Sequence, residues 1–362
     1  MVRVHPSLDP SLGGIVSALM ATSTALVDDY DLTIVTQDGS AAHHDPFVRE
    51  GITVRTAPRG GTMQALRELP PIDLVVLDGS WNTSATSLVR FCRQHHVPYV
   101  YVPHGSLSSL VRHQFPVRHL KKLAYWWAVE GPVARSAASL WYSSDIERQL
   151  SARTFPGTPR DSFTIPFATR DVGRLPPRAL APDEPLRIAV AARVAPVKDL
   201  DVLLQALAGL LTPWHLDVAG DDRSRYADDL KELARRLGIA RSVTWHGYLQ
   251  PTDLDEVLAG AHVYACPGLE SFGMSVAEAL SANLPVVASD AVALAPSLEG
   301  AGTVFPRGDV GALGAAIAET GRQLRGEGYG DGPRHVWESI SSADAFRAAF
   351  TEAVGPLLSP AD

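Results

Sequence analysis

Chemistry is densest in the run Pro267-Gly268-Leu269-Glu270-Ser271-Phe272-Gly273-Met274-Ser275-Val276-Ala277-Glu278-Ala279-Leu280. It follows a short apolar run with strand character, turns through two glycines and enters a helical pattern that opens on small or apolar residues. Backbone N–H groups left free at such a helix start form a site for a phosphate. Glu270 stands in the loop and Glu278 eight residues later, one to two turns inside the helix. Two carboxylates so placed can accept hydrogen bonds from several hydroxyls of one ligand, as a sugar or a ribose requires. The same residues would also serve as a capping arrangement with one solvated glutamate.

A second segment, Ala192-Arg193-Val194-Ala195-Pro196-Val197-Lys198-Asp199, joins another strand-like run to a leucine-rich helical pattern. Arg193 and Lys198, five apart in a strand-to-helix loop, suit a diphosphate: arginine offers planar paired donors and lysine a compact charge. In the first half, Ser11-Leu12-Gly13-Gly14-Ile15 opens a helix, so that backbone at Gly13 and Gly14 can approach a ligand closely. Val102-Pro103-His104-Gly105-Ser106 ends a strand on a histidine able to donate to a hydroxyl or share a proton near neutral pH. A lone histidine or a lone Gly-Gly has structural explanations as well, and each gains weight from the other motifs.

These residues need a scaffold that brings loop ends together. Short apolar, β-branched runs alternate with helical patterns along nearly the whole chain, which is the signature of parallel sheets with crossover helices, an α/β protein. The expected strands of the first half are Leu32–Thr36, Ile52–Arg55, Asp73–Leu77, Tyr99–Val102 and Leu140–Tyr142. Those of the second half are Arg187–Ala191, His215–Ala219, Val243–His246, Val263–Ala265, Val286–Ala288 and Thr303–Phe305. Between the halves, Arg174–Pro185 holds four prolines among polar residues and reads as the linker. Trp337–Leu357 reads as one closing helix.

The size and composition agree with two folded domains: 362 residues, 46% hydrophobic and 20% charged. A formal net charge of −8 opposes a broad electrostatic grip on nucleic acid. Cys92 and Cys266 stand far apart with no CxxC and no ligand spacing, which fits a reduced, cytoplasmic chain. No run of eighteen apolar residues is present, and MVRVHPSLDP lacks the profile of a signal peptide. Asp29/Asp31, Asp199/Asp201 and Asp253/Asp255 have the Asp-x-Asp spacing of a metal-binding pair, but the last two read as helix starts and no metal is expected.

With these residues in view, the chain resembles a retaining glycosyltransferase of the GT-B fold, in the large family four group (glycosyl transferases group 1) that uses nucleotide-diphosphate sugars. The likeness runs through the early Gly-Gly loop, His104-Gly105, Arg193 with Lys198, the Glu270/Glu278 pair within ESFGMSVAEAL and the late Trp337 helix. It implies two Rossmann-like doubly wound domains facing a central cleft: an acceptor-binding domain at 1–175 and a nucleotide-sugar-binding domain at 176–335. A helix at 336–362 is expected to cross back to the first domain. It implies that Arg193 and Lys198 hold the diphosphate, that Glu278 holds the ribose, and that Glu270 with the Phe272-Gly273-Met274 backbone holds the donor sugar. His104 would contact the sugar near the reacting centre. A nucleotide-diphosphate-sugar is the donor substrate, with no permanently bound cofactor and no metal.

The chain departs from the family's usual pattern at four places. Ala192 precedes Arg193 where Gly is common, Asp199 and Asn283 stand where Gly is usual, and Pro166-Phe167-Ala168 replaces Pro-Asn-Gly before the linker. These bear on the interdomain hinge more than on the donor site. The hydroxyl acceptor is expected in first-half loops around Gly13, Gly79-Ser80-Trp81 and Ser106–Phe115. The stretch from Pro103 through Trp126-Trp127 is similar to transferases of polysaccharide and lipid-linked glycan assembly. Residues 117–135 interleave Arg118, Lys121, Lys122 and Arg135 with Leu120, Leu123, Tyr125, Trp126 and Trp127. That pattern fits peripheral membrane contact, or a helix whose aromatics pack on the core. The rival functions are glycosylation of a small-molecule acceptor, a nucleotide-sugar epimerase or phosphorylase on the same fold, and a non-catalytic nucleotide-sugar-binding protein.

Overall fold

A computed structural model describes residues 1–81, 85–107, 116–159 and 161–358, with the side chains of 116–119 left aside. Its strands fall into two sheets. The first holds β1 (Val2–Val4), β2 (Thr33–Thr36), β3 (Thr53–Thr56), β4 (Val75–Asp78), β5 (Tyr99–Val102), β6 (Ser139–Tyr142) and β7 (Ser162–Thr164). The second holds β8 (Leu186–Ala191), β9 (Trp214–Ala219), β10 (Val243–Gly247), β11 (Val263–Cys266), β12 (Val286–Ser289) and β13 (Gly302–Phe305). Their orders are β3-β2-β1-β4-β5-β6-β7 and β10-β9-β8-β11-β12-β13, and every pairing is parallel. Both are doubly wound, with the order reversing between β1 and β4 in one sheet and between β8 and β11 in the other. Ligands of open α/β sheets bind at the carboxyl ends of strands at such a reversal.

Burial on both faces explains why these strands read as apolar runs: β4, β5, β11 and β12 are buried at every residue. Helices cross between them on apolar stripes, as in Leu200–Ala208, where Leu200, Leu203, Leu204 and Leu207 enter the core. Several helices begin on capping side chains. Ser144 accepts from the Glu147 amide at 3.1 Å, Ser224 from Ala227 at 3.2 Å and Asp309 from Ala312 at 2.8 Å.

The chain divides into two compact units, Met1–Thr169 with Ala343–Asp362, and Arg170–Ser342. This division differs from the boundaries expected at 175 and 336. The proline-rich stretch from Arg174 to Pro185 takes no helix or strand, but it belongs to the second unit instead of linking the two. Its backbone and side chains are held there: the Leu180 amide donates to the Leu324 carbonyl at 2.9 Å, Arg178 to the Ala259 carbonyl at 2.8 Å, and Arg174 pairs with Asp331 at 2.5 Å. The closing helix is in fact two, Gly332–Ile340 and Ala343–Leu358. The break comes where the Ser341 and Ser342 amides both turn onto the Trp337 carbonyl, at 2.8 and 3.0 Å. Phe346 of the second of these helices stacks on Trp141 with ring centroids 5.5 Å apart, and Phe350 meets the same ring at a tilt, also at 5.5 Å, inside the first unit.

Candidate functional site

In the second unit the loops after β8 and β11 meet at the reversal of strand order. Gly268 explains how closely: a Cβ there would lie 2.4 Å from the Lys198 Cα and 2.5 Å from the Val197 carbonyl oxygen, so only glycine lets the loops touch. The Leu269 amide donates to the Val197 carbonyl at 3.0 Å. On the far side, the Ser289 hydroxyl donates to the Gly268 carbonyl at 2.7 Å, and Glu270 forms an isolated parallel bridge with Val292. The backbone of Glu270 is therefore held from both sides. Its carboxylate accepts a hydrogen bond from the Lys198 ammonium, which also reaches the Leu269 carbonyl at 3.4 Å. Gly273, at φ 107°, turns the chain into the helix Met274–Ser281, a backbone angle that glycine adopts without strain. Phe272 beside it is buried, and Met274, the first helical residue, is half-buried. Arg193 lies exposed and makes no ion pair with any of the described residues.

The two departures at usual glycine positions have a common physical reason. Asp199 and Asn283 both adopt left-handed backbone, at φ 50° and 58°, a region that Asp and Asn tolerate better than other side chains. Each is also fastened by its side chain. Asp199 takes a two-pronged grip from Arg307, at 2.5 and 3.1 Å. Asn283 donates to the Gly330 carbonyl at 3.1 Å and accepts from the Arg334 amide at 3.2 Å.

Glu278 lies one turn into that helix with its side chain only 15% exposed, 3.9 Å from the Arg170 guanidinium. Arg170 is engaged more closely by Asp255, at 2.7 Å, while the other Asp255 oxygen is buried without a hydrogen-bond partner. Burial pushes the Glu278 carboxyl up to about 7; Arg170 pulls against that rise and the Asp255 carboxylate adds to it. The fold thus favours the protonated acid. The stability this contributes is full below the unfolded value near 4.5 and is lost as pH rises through about 7. Glu278→Gln is therefore expected to unfold at higher urea than the wild type at pH 8. The gain should be at most about 3 kcal/mol and fade toward pH 5; urea curves at both pH values check it, and equal midpoints at pH 8 would count against a charged, buried Glu278.

In the first unit the reversal of order lies between β1 and β4. Asp78, the last residue of β4, is fully buried and holds Arg3 of β1 at 2.6 and 2.9 Å. The Nη1 of Arg3 donates to Thr22 at 2.6 Å and Ser23 at 3.1 Å. His104 follows β5 and places its Nε2 2.9 Å from the same Asp78 oxygen that Arg3 contacts, with its ring stacked 5.0 Å from Phe167. Burial opposes the Asp78 charge, yet the Arg3 guanidinium and the His104 hydrogen bond hold its carboxyl well below the usual range. An ionised carboxylate only accepts, so the Nε2 of His104 is the donor. The neutral ring then offers Nδ1 as an acceptor, and His104 donates to a ligand only as the imidazolium. His104 sits at φ 49° and Gly105 at φ 72°. Glu147 secures the turn, accepting from the Gly105 amide at 2.5 Å and from Ser143 at 2.8 and 2.6 Å. Gly13, after β1, ends a short helical turn and precedes the helix Gly14–Thr24, and a Cβ placed on it meets nothing within 4 Å.

Arg3, Asp78, Glu147, Arg170 and Asp255 are the contact partners of the candidate residues that sequence reasoning missed. Only Asp255 carried a signal, through its Asp-x-Asp spacing with Asp253, and that spacing pointed to a helix start. Of the acceptor loops, residues 108–115 lie outside the described set, as does the Arg118 side chain of the basic stretch. Trp126 is buried and donates to the Pro156 carbonyl at 3.0 Å, whereas Leu120 and Trp127 are 66% and 53% exposed. Lys122 lies 4.6 Å over the Trp81 ring. Among the described residues no group of three or more His, Cys, Asp or Glu side chains is gathered as a metal site, and no helix is long and apolar enough to cross a membrane.

Residues 13–168 match the family model of the glycosyl transferase 4-like domain, and residues 173–321 match that of the glycosyl transferases group 1. The chain belongs to the group 1 glycosyltransferases, and its two parallel-sheet units have the GT-B fold. It is 26% identical to the GDP-mannose:cellobiosyl-diphosphopolyprenol alpha-mannosyltransferase of Komagataeibacter xylinus, a match covering 94% of this chain and 90% of that one. It is 36% identical over 161 residues to the D-inositol 3-phosphate glycosyltransferase of Nocardia farcinica, covering 40% of this chain and 36% of that protein. Among solved structures it resembles Anabaena Alr3699/HepE in complex with UDP and glucose, with a TM-score of 0.77 at 15% identity over 98% of this chain and 99% of that one. Sucrose-phosphate synthase from Thermosynechococcus elongatus gives a TM-score of 0.76 at 17% identity, with 98% of both chains covered.

Proposed function

We propose that this glycosyltransferase moves a sugar from a nucleotide-diphosphate-sugar donor to a hydroxyl acceptor with retention of anomeric configuration, in polysaccharide or glycoconjugate assembly. The observation that carries the reading is the meeting of the Lys198 ammonium, the Glu270 carboxylate and the start of the helix Met274–Ser281 around one backbone contact. A cation, free backbone amides and a hydroxyl-accepting carboxylate are what a diphosphate joined to a sugar needs. In this reading Lys198 and Arg193 hold the diphosphate and Glu278 accepts from the ribose hydroxyls. Glu270 with the Phe272-Gly273-Met274 backbone takes the sugar, His104 contacts the sugar near the reacting centre, and the Gly13-Gly14 loop adds backbone amides.

The chemistry breaks the bond between the anomeric carbon and the diphosphate oxygen and forms one to the acceptor oxygen. The leaving diphosphate gains charge and the acceptor hydroxyl loses its proton. Lys198 and Arg193 would stabilise the first event, and the departing diphosphate is the base nearest the second. No residue of this set is placed as a base for inversion. A screen of UDP-, GDP- and TDP-sugars, read by product mass, identifies the donor. An α-linked donor is then expected to give an α-linked product, and activity is expected to survive EDTA. A β-linked product, seen by the NMR coupling of the new anomeric proton, would overturn retention.

At pH 8, where the Glu278 carboxyl is ionised, Glu278→Gln should raise donor KM by roughly ten- to a hundredfold, the scale of one hydrogen bond to a charged group, with kcat little changed. Cytoplasmic residence with peripheral membrane contact belongs to the same reading. It rests on the exposed Leu120 and Trp127 beside Lys121 on residues 117–135, an arrangement suited to an anionic lipid surface.

A further inference from the structure

Lys198 and Glu270 are bound to each other before any third group is considered. Their side chains are 16% and 20% exposed, so the pair is largely shielded from water, and it lies where both backbones are held by hydrogen bonds to the adjoining loops. A lysine ammonium has three protons. One goes to the Glu270 carboxylate and a second direction is taken by the Leu269 carbonyl. A diphosphate drawn to Lys198 therefore meets an ammonium with two of its three protons already engaged and a carboxylate directly beside it. Either the phosphate oxygens and Glu270 share the cation as like charges in contact, or Glu270 gives it up and must find other donors.

What Glu270 finds depends on the ligand. A donor that carries a sugar brings hydroxyl groups, which donate to a carboxylate and replace what the ammonium gave. A bare nucleoside diphosphate brings none. We propose that Glu270 is a specificity-determining residue that makes the site favour a sugar-bearing nucleotide over the bare nucleoside diphosphate, because only the former compensates it for the loss of Lys198. The proposal rests on the assignment of Lys198 to the diphosphate and Glu270 to the sugar made above. Its consequence is directional. The bare diphosphate is the product of transfer, so the pair that accepts the donor also weakens the hold on what is left after the sugar departs.

The test compares the wild type with Glu270→Gln, which keeps shape and removes charge, and with Glu270→Ala, each first shown by a melting curve to be folded. Inorganic pyrophosphate, titrated calorimetrically, reports the phosphate site without any nucleobase. Both variants are expected to bind it roughly tenfold more tightly than the wild type, the scale of one charged hydrogen bond in a partly exposed setting. UDP with UDP-glucose and GDP with GDP-mannose then give the ratio of bare to sugar-bearing affinity, read from whichever base binds. The wild type is expected to prefer the sugar-bearing form, and in Glu270→Gln that preference should fall by tenfold or more. Pyrophosphate affinity unchanged or weakened in both variants would overturn the proposal while leaving the diphosphate site standing. A wild type that binds bare and sugar-bearing nucleotide alike would do the same. No pyrophosphate binding to the wild type or to either variant would instead overturn the diphosphate assignment, and this proposal with it.

Discussion

Lys198→Ala is expected to lower turnover at saturating donor by roughly two to three orders of magnitude, the scale on which one preorganised donor acts when it faces charge that develops in the transition state. Binding alone would not produce that loss, since an interaction equal in ground and transition states leaves turnover unchanged. The argument depends on Lys198 being held in advance. Its amide donates to the Ala195 carbonyl at 2.9 Å, its backbone packs on Gly268, and its ammonium is directed by Glu270 and the Leu269 carbonyl. Arg193 has the same charge with less support, being exposed and without an ion pair among the described residues. Its side chain must be ordered by the ligand itself, so Arg193→Ala should cost less, about ten- to a hundredfold. Steady-state kinetics with the donor identified by the sugar screen measures both. Near-native turnover in Lys198→Ala would remove the diphosphate from this loop.

The unequal standing of these two cations could not be read from their spacing. Strand-to-helix loops, glycines and carboxylates are local features, and the chain announced them: the Gly268 and Gly273 turns and the Glu270/Glu278 pair all lie where the pattern put them. The alternation of apolar runs with helical periods likewise gave eleven of the thirteen strands among the described residues. The two it passed over, Val2–Val4 and Ser162–Thr164, are three residues each, and the first has an arginine at its centre. A charge in the middle of a three-residue run looks like an end to a strand until its partner is known. That partner, Asp78, is 75 residues away, and nothing local ties the two together. Arg170 and Asp255, the charged neighbours of Glu278, are likewise 85 residues apart. Long-range pairing of charges is the part of this site that folding alone reveals. The closing helix erred for the opposite reason: a continuous apolar period hid the break at Ser341-Ser342, which carries no glycine or proline.

Asp78→Ala is expected to destabilise the first unit by about 3–5 kcal/mol, because it strips the counter-charge from an arginine that stays buried. Arg3 is 1% exposed and sits in an interior strand of its sheet, so its guanidinium cannot reach water without disrupting β1. Thr22 and Ser23 satisfy one of its nitrogens but supply no charge. Removing both members is a different experiment. Arg3→Met with Asp78→Leu replaces the pair by apolar groups and should fall well short of the single-variant loss, since a buried ion pair commonly does little better than a well-packed apolar substitute. The pH dependence separates this pair from Glu278. The Asp78 carboxyl is held below its unfolded value of 3.8, so its contribution is present above that value and is lost only as strong acid protonates it. Between pH 5 and 8 the Asp78→Ala penalty should therefore be flat, whereas the Glu278→Gln gain should grow across the same interval. Urea unfolding followed by tryptophan fluorescence reports the first unit through Trp81, Trp126, Trp127 and Trp141. A loss under about 1 kcal/mol, the scale of an exposed pair, would mean that Arg3 and Asp78 meet in water and do not anchor the turn that presents His104.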